Sequence, residues 1–152
     1  MTGAPRWALG VATMGGLGRL PAPGTFGSLP ALPFALLAPA PLLALAVVVA
    51  AFGYAATQAL LRHGAAEDPG WIVVDETVGM LITLAALGGA PTLFGVLLGF
   101  VLFRFFDILK PWPVSSADRQ PGAFGVMLDD VVAGVLACAL LALARHAWPG
   151  VI

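Results

Sequence analysis

Charge is scarce in this chain: seven Lys and Arg with eight Asp and Glu make up 10% of 152 residues. Soluble domains carry about 25% charged residues, which excludes an ordinary water-soluble globule. Cysteine occurs once, at Cys138, excluding an internal disulfide and any cysteine-rich metal site. Within the apolar run Val135 to Ala144 it reads as a buried, inert thiol. Histidine occurs twice, at His63 in a loop and His146 at the opposite helix end. Neither neighbours an acid, which argues against zinc or copper. The net charge of −1 carries no nucleic-acid footprint. What is abundant is apolar: 60% of residues, with a mean hydropathy of +0.98. The expectation is an all-α integral membrane bundle, residues 1–152 forming one domain.

Leu29 to Leu61 holds no charge, 33 residues in all. That exceeds one span of about 20, and Pro39 and Pro41 split it. A short proline-bounded helix is expected at 28–38, re-entrant or spanning, followed by a full span at 42–62. Further spans are expected at 71–87, 92–109 and 124–146, giving four full spans. Pro111 stops the third of these near Lys110. Segment 110–122 reads as a polar loop. Trp7 to Gly18 reads as an interfacial segment that stays on the protein, because no small-residue cleavage site follows Arg19. The hairpin collects Arg6, Arg19, Arg62, Arg104, Lys110 and Arg119 on one side and leaves Arg145 on the other. The positive-inside rule makes the crowded side cytoplasmic. Trp7, Trp71 and Trp112 would then mark that interface and Trp148 the far one.

Five of the eight acids, Asp75, Glu76, Asp107, Asp129 and Asp130, lie in or beside the apolar segments. An ionised group at a bilayer helix centre costs roughly 2.5–3.5 kcal/mol. A chain keeps such groups when they are paired, hydrated at an interface or holding a cation. In this topology all five fall near the cytoplasmic ends of the last three helices. Carboxylates from three helices outline a hard-cation site, and Mg2+ takes oxygen ligands with substrate phosphate completing its shell. Arg104 and Lys110 flank Asp107 at intervals of three. They either neutralise Asp107 and anchor the helix end, or bind a substrate phosphate.

Leu20 to Pro30 reads LPAPGTFGSLP. Gly24 and Gly27 allow close backbone approach, and Thr25 and Ser28 are potential helix caps. The segment is either a plain turn into a helix or an anion-holding one. Gly79 and Gly134 each follow an acid, Asp75 and Asp130, by four residues. Small residues there let the acid-bearing helices pack closely.

Four blocks together resemble the phosphatidylglycerophosphatase A family: LPAPGTFGSLPALP (20–33), DPGWIVVDETVGMLIT (68–83), FRFFDILKPWPV (103–114) and GVMLDDVVAG (125–134). They cover nearly all the chain past residue 17. Ala123 departs from the family, which often has a second glycine beside Gly122. The resemblance implies a magnesium-dependent phosphomonoesterase of the bacterial inner membrane, converting phosphatidylglycerol phosphate to phosphatidylglycerol and inorganic phosphate. The family's signature acids fall on Asp75, Glu76, Asp107, Asp129 and Asp130, its basic residues on Arg104 and Lys110, and its turn on Gly24, Thr25, Gly27 and Ser28. Both a metal-activated water and direct attack by an aspartate remain open as the nucleophile. Other phosphatase chemistries lack their signatures: Cys138 opens no C-x5-R pattern, and D-x-D-x-[TV] is missing. The alternative class is an ion- or proton-coupled transporter, which would spread its acids through the membrane depth. A phosphatidyl- or prenyl-transfer enzyme would show D-x-x-x-D spacings, which do not occur.

Overall fold

A computed structural model describes residues 3–66 and 69–152. Glu67 and Asp68, within the expected 62–70 loop and at the head of the 68–83 block, lie outside the described residues. Every regular element described is helical, as expected. Arg6–Ala12 forms α1, followed by a 3-10 segment at Met14–Arg19 in which Gly15 and Gly16 take φ of 71° and 108°. Pro23–Ser28 forms α2 and runs straight into a 3-10 segment at Leu29–Leu36. That leg was expected as an α-helix. Pro30 and Pro33 cannot donate i→i−4 bonds, and the tighter winding results. Eight residues of 3-10 helix rise about 16 Å, half of a hydrocarbon core of about 30 Å.

Pro39–Arg62 forms α3, with prolines confined to its first turn where their missing N–H does no harm. Val74–Leu84 forms α4, extended by a 3-10 turn at Ala85–Leu87. Leu93–Leu109 forms α5, and the Thr92 hydroxyl caps it by accepting from the Gly95 N–H at 2.9 Å. The expected loop 110–122 contains a short helix, α6, at Val114–Asp118. Gly122–Ala147 forms α7.

Two of the four expected spans, α3 and α7, are long and apolar enough to cross a membrane. α5 reaches 17 residues, roughly 26 Å. α4 is the clear departure, with 11 residues. Its start is delayed because Trp71–Val73 is held outside the helix: the Val73 N–H donates to the Ala12 carbonyl at 2.8 Å. Nine of its residues are buried, so it is the central post of the bundle rather than an outer wall. It packs chiefly on α7, then on α3. The core around it contains Met80, Leu81, Leu84, Phe103, Ala133 and Leu141. The outer helices turn apolar side chains outward instead. On α5 these are Leu93, Leu97, Val101, Phe105 and Ile108, one continuous stripe.

Two glycines set the closest helix crossing. A Cβ on Gly134 would run into the Gly79 backbone, with the Gly79 Cα at 2.9 Å. A Cβ on Gly79 would meet the Asp130 carbonyl at 2.6 Å and the Phe103 ring. Backbone therefore lies on backbone between α4 and α7. Thr83 closes the crossing, its hydroxyl 2.9 Å from the Gly79 carbonyl and 3.4 Å from that of Gly134.

Candidate active site

The glycine crossing places Asp75 and Asp130 opposite each other, because each acid precedes its glycine by four residues, about one turn. Asp75, Glu76 and Asp130 each present a carboxylate oxygen within 4.8 Å of the others. Asp75 is 7% exposed and Asp130 3%. Asp75 Oδ1 accepts from the Glu76 N–H at 3.1 Å, one of the unpaired donors of the first turn of α4. Glu76 Oε2 and Asp130 Oδ1 are buried with no hydrogen-bond partner among the described residues. Orphaned buried carboxylate oxygens facing one another are costly unless a cation compensates them. An all-oxygen set of this kind fits a hard divalent ion such as Mg2+.

Two cations border the cluster. Arg104 pairs with Asp107 on the same face of α5. Both lie near enough for their charges to act on Glu76 and Asp130. Lys110 pairs with Asp118 and, at 2.7 Å, with Asp129. Burial disfavours its charge, but the bonds to Asp118 and Asp129 outweigh that and hold the ammonium above the ordinary lysine range. Lys110 ends α5 in the left-handed region at φ 45°, a strained conformation for a residue with a Cβ. That conformation turns the chain from α5 toward α6. Of the five acids read as metal ligands, the structure thus brings three together. Asp107 and Asp129 instead lie at the rim, each engaged by a cation.

The glycine-rich turn meets the same cluster from the other side. A Cβ on Gly24 would lie 2.7 Å from Arg104 Nη1 and 2.7 Å from Glu76 Oε1. Ala22, just before α2, takes a positive φ of 56° to bring the turn in. Gly27 and Ser28 face away from the cluster. A Cβ on Gly27 would meet Val73 Cβ at 2.6 Å, and the Gly27 carbonyl accepts from the Thr77 hydroxyl at 2.5 Å. Ser28 was expected as a cap. It occupies the cap position of the 3-10 segment, but its hydroxyl donates backward to the Gly24 carbonyl at 2.8 Å. Helical φ and ψ at Ser28 place the hydroxyl over the preceding turn, so it braces Gly24 instead. Thr25 is half-buried and caps nothing.

Sequence reading missed Asp118 and the surroundings of Arg119. Nothing in the spacing of a polar loop foretells that Asp118 bonds Lys110. The reading also missed that Trp71–Val73 is pinned to α1, which fixes where α4 begins.

The family model of phosphatidylglycerophosphatase A matches residues 10–145. The chain belongs to that family. Phosphatidylglycerophosphatase A of Escherichia coli strain K12 is 41% identical over 84% of this chain and 76% of its own. The Haemophilus influenzae phosphatidylglycerophosphatase A is 38% identical over 77% of this chain and 75% of its own. A Bacteroides thetaiotaomicron protein named as a putative phosphatidylinositol-3-phosphatase is 41% identical over 82% and 84%. No solved structure matches. Family membership and acids gathered at one end give the transporter alternative no support.

Proposed function

We propose that this chain is a membrane phosphatidylglycerophosphatase, hydrolysing phosphatidylglycerol phosphate to phosphatidylglycerol and inorganic phosphate at the cytoplasmic face with Mg2+. One observation carries the reading. Three carboxylates, two of them with an orphaned oxygen, face one another beside Arg104, at one end of a bundle whose outer faces are apolar. Membership of the family supports the substrate.

Asp75, Glu76 and Asp130 would hold the ion, which when bound supplies Lewis-acid charge stabilisation. The other roles follow from the chain itself. Arg104 offers a planar fork to the phosphoryl oxygens and helps neutralise charge that develops as the P–O bond breaks. Asp107 fixes the orientation of that guanidinium. Gly24 leaves room for a phosphate to approach between Arg104 and Glu76. The lipid tails remain in the bilayer, against the outward apolar faces of α3, α5 and α7. The acid end is read as cytoplasmic because Arg19, Arg62, Arg104, Lys110 and Arg119 collect there. Exposed Trp7 and Trp112 near that end, with Trp148 at the other, fit the two interfaces.

The test is phosphate release from phosphatidylglycerol phosphate by purified protein in detergent. Activity is expected with Mg2+, is lost in EDTA and returns on adding Mg2+. Asp130→Asn and Asp107→Asn are each expected to abolish release while leaving membrane insertion intact. A folded wild-type sample that releases no phosphate sinks the assignment, and full activity in both variants sinks the proposed site.

A further inference from the structure

A cavity of about 220 Å³ opens beside the carboxylate cluster, between α6 and the start of α7. Asp118, Arg119, Gln120, Gly122 and Asp129 contribute to its lining. Two of these residues point to a ligand. Asp129 is 8% exposed; one of its oxygens is held by Lys110, while Oδ1 is buried and has no partner among the described residues. Arg119 is exposed and bonds only the neutral Ser116 hydroxyl, at 3.2 Å, with no carboxylate partner among the described residues. Asp118, the other acid of the lining, shares the Lys110 ammonium with Asp129. The cavity therefore offers one unmatched hydrogen-bond acceptor and one unmatched cation.

We infer that this cavity is the headgroup subsite, taking the glycerol hydroxyl and the phosphodiester of the lipid, with Asp129 and Arg119 as its specificity-determining residues. The assignment rests on the reading of the carboxylate cluster as the phosphate-reacting site. In the substrate a hydroxyl-bearing carbon stands between the reacting monoester and the diester that leads to the tails. Asp129 and Asp130 lie near enough for their charges to act on each other, so a headgroup hydroxyl held by Asp129 would stand beside a phosphate at Asp130. Arg119 then meets the next anion along the molecule, and a guanidinium binds a diester through two parallel N–H bonds. Asp129 thereby becomes a reader of the alcohol rather than a metal ligand.

The product lipid tests this without turnover or metal, because phosphatidylglycerol keeps the diester and the glycerol hydroxyls. Binding of dioctanoyl-phosphatidylglycerol and dioctanoyl-phosphatidylethanol, which lacks those hydroxyls, is measured on the full chain in detergent with EDTA. Wild type is expected to prefer the glycerol lipid by about tenfold or more, the worth of a hydrogen bond to a charged group. Asp129→Asn should bring that ratio close to one. Arg119→Ala, at an exposed position, should weaken both lipids by about tenfold or more, with Arg119→Lys recovering part of the loss. Equal binding of the two lipids by wild type, no binding of either, or unchanged affinity in Arg119→Ala overturns the subsite. Selective binding of phosphatidylglycerol by a protein that hydrolyses no phosphatidylglycerol phosphate would keep the subsite and reject the phosphatase reading instead.

Discussion

At Gly24 two charged groups occupy the space a side chain would take. A Cβ there would stand 2.7 Å from both Arg104 Nη1 and Glu76 Oε1. Both obstacles are the tips of flexible side chains, so the fold can yield while the site cannot. Gly24→Ala is expected to lower kcat by about 100-fold, the scale of an ångström-sized misplacement, with thermal unfolding in detergent nearly unchanged. Gly27→Ala should do the reverse in kind. Its Cβ meets the Val73 backbone carbonyl at 2.8 Å, which cannot swing aside, and the unfolding temperature should fall. Lys110 adds a statement about pH. Its folded-state value is raised, so its contribution is complete below the ordinary lysine value of about 10.4 and disappears only above it. A pH profile of activity between about 5 and 9 should therefore show no step from Lys110. A step removed by Lys110→Arg would contradict the paired ammonium.

Among the elements, α4 explains most of what the sequence left obscure. Its charges were legible: an apolar helix bearing Asp75 and Glu76 is an energetic anomaly that composition alone exposes. Its length was not, because the hydrogen bond from Val73 to Ala12 joins residues 61 positions apart. The proline-bounded leg shows the same divide. Pro39 and Pro41 marked where the leg ends, but the 3-10 winding depends on local carbonyls finding other donors. Gly79 and Gly134 were legible as close packing, and the structure brings them into direct backbone contact. Gly134→Ala is expected to destabilise the bundle by about 1–3 kcal/mol, as overpacking does. Gly99→Ala supplies the contrast, since its Cβ would meet side-chain atoms and no backbone, the nearest being Leu141 Cδ2 at 3.0 Å. Thermal unfolding of the two variants in one detergent compares them, and an equal effect would count against a backbone-limited crossing. The pairings at the rim were legible only in part. Asp107 with Arg104 could be guessed from their spacing of three, whereas Lys110 with Asp129 requires α5 and α7 to be folded together.

For the whole molecule, the arrangement predicts one wet, charged end and one plain end. The far end carries Arg145, whose guanidinium donates to the Ala86 carbonyl at 3.0 Å and is thereby occupied within the fold. Only Cys138 needs removal before new thiols report topology. In a Cys138→Ala background, Ser115→Cys and Gly64→Cys should react with an impermeant thiol reagent from the same side of the membrane, and Gly150→Cys from the other. Labelling of Ser115→Cys and Gly150→Cys from one side would refute the bundle's orientation across the bilayer.

The glycine crossing has a further consequence, for ionic radius. Side chains can rotate to suit a larger ion, but backbone resting on backbone cannot. The gap between Asp75 and Asp130 is thus gauged one helical turn away from the oxygens that line it. Mg2+ binds at 2.0–2.1 Å and Ca2+ at about 2.3–2.6 Å, so a few tenths of an ångström decide between them. Widening the crossing by Gly134→Ala should therefore shift the cation preference toward Ca2+, although no ligand has changed.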